Sequence, residues 1–206
     1  MGSMQLNSIL IILAGGESSR MGVPKGLLEY NDIYWVVEQL NRAVDIQFKI
    51  VLLVLGNDYQ QYFKKLPFLR NALNYFMNYK NLKLKVVIND KPQLGTFSSI
   101  VTALNQIKTK DDVFVLPIDV PLISVGEIQK LHKVDSLVTI PSCKNKGGHP
   151  VKLQYEFWDK LRQINLESNE ARLDYQIKKI DKKHIELISV SDKNALLNLN
   201  TPNEWN

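Results

Sequence analysis

The sequence predicts an α/β protein in which a mostly parallel mixed sheet lies between two layers of helices. Short apolar runs of strand length alternate along the chain with stretches of helical period, as expected when strands and covering helices follow one another. At 206 residues with 45% hydrophobic content, the chain can bury one sizeable core. No internal repeat, low-complexity linker or change of composition divides it. We therefore predict one domain over residues 4–206 and expect residues 1–3, which precede a second methionine, to be a cloning remnant.

The first half of the chain begins with a buried strand, predicted by the apolar and mostly β-branched residues 9–13. A helix follows whose apolar side chains share one face: Ile33, Val36, Val37, Leu40 and Val44. Residues 50–55 and 84–88 predict two further buried strands. The aromatic-rich segment between these strands, residues 58–82, is expected to be helical with a break at Pro67.

The second half repeats this alternation. Thr96 is expected to cap a helix with the apolar stripe Phe97, Ile100, Val101, Leu104 and Ile107. Residues 113–118 predict a strand, and Ser124 with Glu127 has the spacing of a capping box that opens the next helix. The lysine-rich residues 178–183 are interpreted as a solvated helix end and loop.

A glycine-rich loop follows the first strand directly and carries two cations. Gly15 and Gly16 lack a Cβ, so the backbone can bend sharply and its N–H groups can approach phosphate oxygens, while Arg20 and Lys25 supply positive charge. The loop matches neither a P-loop nor a dinucleotide fingerprint, because Lys25 follows a proline and the glycine spacing differs. It predicts a polyphosphate site, against the alternative of a tight turn with two solvated cations.

An acidic residue, Asp119, follows the strand predicted at residues 113–118. Open α/β sheets place their ligands at the carboxyl ends of strands, and Pro121 prevents a regular continuation of the ladder. Asp119 is a hard oxygen ligand in a position to hold magnesium beside the phosphates. The alternative is an aspartate that only caps the following segment.

Composition limits the partners and the compartment. The net charge of +5 comes from basic residues scattered along the chain, so we expect anionic small-molecule partners and no nucleic acid. The one cysteine, Cys143, excludes an internal disulfide and a cysteine-based zinc cluster and favours a reducing compartment. No apolar run has the length of a membrane-spanning helix, so a cytoplasmic location without membrane association is expected.

Residues 13–25 resemble the opening motif L-A-(A/G)-G-x-S-x-R-M-G-x-P/D-K of a nucleotidyltransferase family. Within it the chain looks most like the cytidylyl- and guanylyltransferases that attach a nucleotide to the molybdenum cofactor. The resemblance implies a Rossmann-like three-layer α/β/α sandwich. It also implies that Asp119, in the family's D-x-P-L pattern, binds Mg²⁺. Nucleotide-binding roles are implied for Leu13, Ala14, Gly15, Gly16, Arg20 and Lys25, with Arg20, Lys25 and Asp119 as the catalytic set.

Further motifs extend the resemblance over nearly the whole chain. In the family, the stretch corresponding to residues 89–99 borders the base and ribose, so Gly95 and Ser99 are candidate nucleotide contacts; the alternative is an ordinary capped connection. His149 lies in the family's G-H-P-V motif and is the candidate acceptor-binding residue; the alternative is a surface loop without function. Flanked in sequence by Lys144, Lys146 and Lys152, the histidine is expected to face an anionic acceptor. Asn198 and Asn200, in the closing motif, replace carboxylates that are common in cytidylyltransferases.

These residues predict nucleotide transfer without a general base. A phosphate-monoester acceptor is already ionised, so alignment and charge are sufficient for in-line attack on the α-phosphorus, with Lys25 and magnesium stabilising the departing pyrophosphate. The favoured acceptor is a molybdopterin-type phosphate, and a molybdoenzyme apoprotein is a further candidate partner. The mixed motifs favour CTP over GTP as donor. The alternatives are transfer to a sugar phosphate or another phosphorylated small molecule, and a non-catalytic protein that binds nucleotide or delivers cofactor.

Overall fold

The computed structural model describes residues 6–16 and 22–199 and shows alternating strands and helices. The strands are β1 Leu6–Ala14, β2 Glu29–Tyr30, β3 Ile33–Tyr34, β4 Phe48–Leu55, β5 Met77–Tyr79, β6 Leu82–Ile88, β7 Asp112–Pro117, β8 Val138–Cys143, β9 Lys146–Gly147, β10 Val151–Leu153 and β11 Ile185–Ser189. The helices are α1 Trp35–Ile46, α2 Tyr59–Lys65, α3 Thr96–Leu104, α4 Val125–His132, α5 Tyr155–Leu161 and α6 Leu173–Lys179.

One mixed sheet organises the described residues, with the strand order β11-β8-β10-β7-β1-β4-β6-β5 and β9 paired to β8. The four central strands, β7, β1, β4 and β6, are parallel. Strand β10 runs antiparallel between β7 and β8, and β5 runs antiparallel at the far edge. The predicted mostly parallel mixed sheet is therefore confirmed, and the parallel strands bring their carboxyl ends to one edge.

The central strand β1 is buried on both faces of the sheet. Its residues Leu10 and Ile12 pack in a cluster with Trp35 and Leu40 of α1 and with side chains of α2 and α4. Ile9, Ile11 and Leu13 point the other way and join a cluster built with α3 and α5. Helices thus cover both faces, which confirms the Rossmann-like three-layer α/β/α sandwich.

The prediction of a helical segment over residues 58–82 is only partly correct. Helix α2 ends at Lys65, and a 3-10 helix spans Pro67–Ala72, so the break at Pro67 is confirmed. The remainder forms β5, which turns at Lys80 in the left-handed conformation (φ 53°) and pairs with β6. Tertiary pairing to an open sheet edge overrides the helical pattern there.

Two predicted helix caps also differ from the structure. Helix α3 begins at Thr96, but its N-cap is Gly95 with φ 83°, and Thr96 is the first helical residue. Helix α4 begins after Ser124 as expected, yet the reciprocal capping box does not form. The Glu127 carboxylate instead accepts hydrogen bonds from the backbone and hydroxyl of Ser191, both at 2.9 Å. At α4, Ser191 has thus replaced the local capping partner of Glu127.

The surface features are simpler. The lysines of residues 178–183 lie at the end of α6 and in the following 3-10 turn, as predicted. Within residues 6–16 and 22–199, every helix is too short or too polar to cross a lipid bilayer.

Candidate functional site

A cavity of about 720 Å³ opens at the edge where the parallel strands end. Ligands of open α/β sheets bind at this edge. Its walls come from the loop after β1, the segment before α3 and the residues after β7. The cavity is lined by Leu13, Ala14, Gly15, Gly16, Lys25, Pro92, Gln93, Gly95, Thr96, Ser99, Pro117, Ile118, Asp119 and Asn198. Every predicted nucleotide-contacting residue that the structure describes is among them, whereas Arg20 lies outside the described residues.

Gly15 is held where two backbones meet. A Cβ on Gly15 would lie 3.1 Å from the backbone nitrogen of Gly56 and 3.3 Å from Ser99 Oγ. A Cβ on Gly56, at the end of β4, would overlap the Gly15 carbonyl oxygen. The strand ends therefore leave no room for a Cβ at Gly56 and little room for one at Gly15, and this close approach forms a narrow floor for the cavity.

Lys25 and Asp119 form an ion pair at the cavity wall. The Lys25 Nζ to Asp119 Oδ2 distance is 2.7 Å, and each side chain is 23% exposed. Lys25 opens a 3-10 turn over Lys25–Leu27, and Asp119 follows β7. The two candidate catalytic groups, predicted from segments 94 residues apart, thus meet at one wall.

Hydrogen bonds to the backbone of residues 118 and 119 hold Asp119 in place. The indole N–H of Trp35 donates to the Ile118 carbonyl at 2.6 Å, and the Ile118 N–H donates to the Leu13 carbonyl at 3.0 Å. The Leu199 N–H donates to the Asp119 carbonyl at 2.8 Å, which brings Asn198 to the same wall. Sequence reasoning missed the anchoring role of Trp35, because its only signal was an apolar position at the start of a helix.

Asp119 is the carboxylate that could hold a metal at this wall. No group of three or more His, Cys, Asp or Glu side chains with metal-binding geometry occurs in the part of the chain that the structure describes. Mg²⁺ is commonly held by one or two protein carboxylates, with phosphates and waters completing its shell. Asp119, as the one carboxylate that lines the cavity within the described part of the chain, fits that ion and does not fit a cation that needs a protein cage.

His149 lines a second cavity of about 370 Å³. This cavity shares Leu13, Gly95, Thr96 and Pro117 with the larger one, so the two are adjacent. Burial lowers the pKa of His149 to about 4, against an opposing effect of the nearby Asp119 charge. The imidazole is therefore neutral near pH 7, and its buried Nδ1 has no hydrogen-bond partner among the described residues.

The expected cluster of lysines around His149 does not form. Lys152 is only 1% exposed and turns away, with its Nζ 3.0 Å from Asp112 and 2.6 Å from the Val134 carbonyl. Lys152 is buried because β10 lies between β7 and β8 and is buried along its whole length. Lys144 and Lys146 are exposed at the β8–β9 turn. The idea that all three lysines attract an anionic acceptor is wrong for Lys152.

Comparison with known proteins gives the family. The MobA-like NTP transferase domain matches residues 10–183. The chain belongs to this family. A curated relative, described as a probable molybdenum cofactor guanylyltransferase of Thermococcus sibiricus, is 27% identical over 150 residues, which is 70% of this chain and 67% of the relative.

Solved structures of low identity share the fold. Rv0371c from Mycobacterium tuberculosis has a TM-score of 0.72 at 18% identity, and the alignment covers 98% of this chain and 96% of the Rv0371c chain. A structure of Rv0371C described as a complex with manganese has a TM-score of 0.62 at 16% identity, with 89% and 87% covered. The expected resemblance to molybdenum-cofactor nucleotidyltransferases is therefore confirmed at the level of the family, and the protein is a MobA-like nucleotidyltransferase.

Proposed function

We propose that this MobA-like protein transfers a nucleoside monophosphate from an NTP to the phosphate of a molybdopterin-type acceptor and releases pyrophosphate. One observation carries the proposal: the 720 Å³ cavity gathers Gly15, Gly16, Lys25 and Asp119 at the carboxyl edge of the sheet. A volume of this order suits a ligand of nucleotide size. The guanylyltransferase description of the curated relative supports the acceptor class.

The chain's own groups supply alignment and charge. The backbone around Gly15 and Gly16 can approach phosphate oxygens, and Lys25 stabilises the negative charge that grows on the departing pyrophosphate. In the free protein Asp119 neutralises Lys25 at 2.7 Å, so a triphosphate competes with this carboxylate for the ammonium group. A phosphate-monoester acceptor needs no general base, in agreement with a cavity whose charged lining side chains, among the described residues, are Lys25 and Asp119.

Magnesium is the proposed cofactor, held by Asp119 with Asn198 beside it. When bound, such an ion would offset charge on the α-phosphate and the pyrophosphate. The manganese complex described for Rv0371C supports a divalent ion in this fold. Replacement of the Lys25 contact by a metal would free Lys25 for the phosphates, so both groups of the ion pair would find new partners on nucleotide binding.

The smaller cavity is the proposed acceptor site. Apolar side chains form much of its wall, including Leu94, Phe97 and Ile100, and these suit a flat ring system. Neutral His149 would contribute a hydrogen bond, not a charge. Cytoplasmic location and delivery of the product to a molybdoenzyme apoprotein remain part of this proposal.

The donor base is the finer question. The mixed motifs favour CTP, whereas the curated relative is described as a guanylyltransferase, which favours GTP as the second candidate.

A variant at the cavity floor tests the choice of base. Gly15→Ala would place a methyl group 3.3 Å from Ser99 Oγ, narrow the cavity floor and sharpen the preference for CTP. Gly16→Ala is the matched comparison, because a Cβ there meets no described residue within 4 Å and should change the ratio less. The ratio of kcat/KM for CTP and GTP measures both. A wild-type protein that binds GTP tightly and ignores CTP would contradict the CTP assignment.

The activity test offers CTP or GTP with magnesium and either molybdenum-loaded molybdopterin or a panel of sugar phosphates. We expect pyrophosphate release only with the pterin acceptor, together with a dinucleotide product identified by mass spectrometry. Release with a sugar phosphate alone would reassign the acceptor. Nucleotide binding without release for any acceptor would favour the non-catalytic alternative.

A further inference from the structure

A buried asparagine, Asn89, holds the segment that carries the cavity-lining residue Ser99. Asn89 directly follows β6 and is 2% exposed, and its N–H donates to the Leu55 carbonyl at 2.8 Å. Its side-chain Nδ2 lies 2.8 Å from Ser98 Oγ and 2.9 Å from Ser99 Oγ. Its Oδ1 accepts the backbone N–H of Lys91 at 3.0 Å. One amide thus joins the end of β6, the loop that precedes α3 and the first turn of α3.

The direction of each hydrogen bond in this group is fixed by chemistry. The backbone N–H of Lys91 can only donate, so the atom of Asn89 that faces it must be the oxygen. The two hydrogens of the Asn89 amide nitrogen then point at the two serine oxygens, and both serines accept from Asn89. Each serine must therefore direct its own proton elsewhere.

The two serines differ in where that proton can go. Ser98 Oγ lies 2.7 Å from the Gly95 carbonyl and 3.0 Å from the Lys91 carbonyl, so its proton stays within the protein. Ser99 Oγ has only the Asn89 contact among residues 6–16 and 22–199. Ser99 also lines the large cavity, beside the floor at Gly15. Its hydroxyl proton is available to a ligand there.

We infer that Asn89 is a positioning residue that fixes Ser99 as a hydrogen-bond donor toward a nucleotide bound in the large cavity. The inference rests on the proposed function, because it takes the occupant of the large cavity to be an NTP. The atom recognised is a hydrogen-bond acceptor of that nucleotide. An occupant that presents an N–H at that point would leave two donors facing each other and would bind more weakly.

The test measures binding of CTP and GTP by calorimetry, without acceptor and therefore without turnover. Ser99→Ala removes the donor and should raise the Kd of the preferred nucleotide by about tenfold. Asn89→Asp keeps the shape but replaces the amide donor by an acceptor, so that Ser99 turns its proton toward the carboxylate and the Kd should rise similarly. Ser98→Ala is the matched comparison on the same amide, and it should change the Kd less than Ser99→Ala.

A double mutant separates positioning from a general effect of the new carboxylate charge. If Asn89 acts through Ser99, Asn89→Asp should add little to the Kd in a Ser99→Ala background. Where turnover is measurable, KM for the nucleotide should rise in both single variants while kcat changes by less than about twofold. Additive effects in the double mutant, or an unchanged Kd in Ser99→Ala, would overturn the inference.

The outcomes also separate this inference from the proposed function. Wild-type protein that binds CTP or GTP, with a Kd insensitive to Ser99→Ala, would overturn the role of Asn89 alone. Binding with the expected sensitivity, but without transfer to any acceptor, would support Asn89 and overturn the transferase proposal. Circular dichroism and the thermal midpoint verify that Asn89→Asp is folded; if it is not, the Ser99→Ala and Ser98→Ala comparison decides the question by itself.

Discussion

Two lysine–aspartate pairs lie at opposite ends of strand β7 and differ in what surrounds them. Asp119 follows the strand and meets Lys25 at 2.7 Å, with both side chains 23% exposed beside the large cavity. Asp112 begins the strand and meets Lys152 at 3.0 Å, with the lysine only 1% exposed. The same two residue types thus form a pair that a ligand can reach and a pair that it cannot.

Hydrogen bonding explains the difference further. Lys152 Nζ contacts the Asp112 carboxylate and also donates to the His132 and Val134 carbonyls at 3.3 and 2.6 Å, so three acceptors surround its three protons. A saturated and buried ammonium is part of the folded structure. An ion pair identifies a candidate site only when it borders a cavity whose ligand could exchange partners with it.

The largest expected effect is on stability, at the buried pair. Lys152→Met keeps the length of the side chain but leaves Asp112 and two carbonyls without their donor, which should lower the free energy of unfolding by about 3–5 kcal/mol. Urea denaturation followed by fluorescence measures it. A loss below about 1 kcal/mol would mean that water replaces the lysine easily, and that the two pairs differ less than their burial indicates.

The matched change at the other pair should act on turnover. Lys25→Met removes an ion pair whose side chains are each 23% exposed and which contributes little to stability, at most about 1 kcal/mol. The same change should raise the activation free energy by about 3 kcal/mol, because the ammonium is proposed to meet charge that develops in the transition state. Steady-state kinetics and denaturation of both methionine variants give the comparison. Near-normal turnover in Lys25→Met would remove this residue from the site.

A substitution at Asp119 tests the proposed magnesium site. Asp119→Asn keeps size and hydrogen-bonding reach but loses the negative charge that a hard cation needs. The fold and thermal midpoint should hardly change, whereas the gain in nucleotide affinity on adding magnesium should fall by about 2–3 kcal/mol. Titration of magnesium against nucleotide binding in both proteins measures this. An unchanged metal dependence would leave Asp119 as a strand-end residue that only pairs with Lys25.

The sequence predicted much of the fold, and several of its candidate site residues line the large cavity. Buried strands such as residues 9–13 and 50–55 carry strong local signals, and motifs at Gly15, Lys25 and Asp119 follow strand ends that the parallel topology must bring together. The distinction between buried Lys152 and the exposed Lys144 and Lys146 was not predictable, since it depends on the insertion of β10 between β7 and β8 and on Asp112, 40 positions earlier in the chain. The predicted capping box at Glu127 is wrong for a similar reason, because Ser191, distant in sequence, binds its carboxylate.

The smallest expected effect concerns His149, which lines the smaller cavity. Its pKa falls from 6.5 to about 4 on burial, with only partial compensation from the Asp119 charge. Between those values the unfolded chain binds more protons than the folded one, so stability rises with pH and is lost as pH falls from 6.5 toward 4. For this group alone the loss of stability between about pH 7 and pH 5 should be about 2 kcal/mol.

The pKa of His132 is lowered by burial as well, so His132 also contributes to the pH dependence. The informative quantity is therefore the difference in the free energy of unfolding between wild type and His149→Gln, measured by urea denaturation at each pH. The variant should show a flatter pH dependence by about that amount. Parallel curves for the two proteins would mean that the folded state accepts a charged His149, and the acceptor cavity would then present a cation to the anionic acceptor after all.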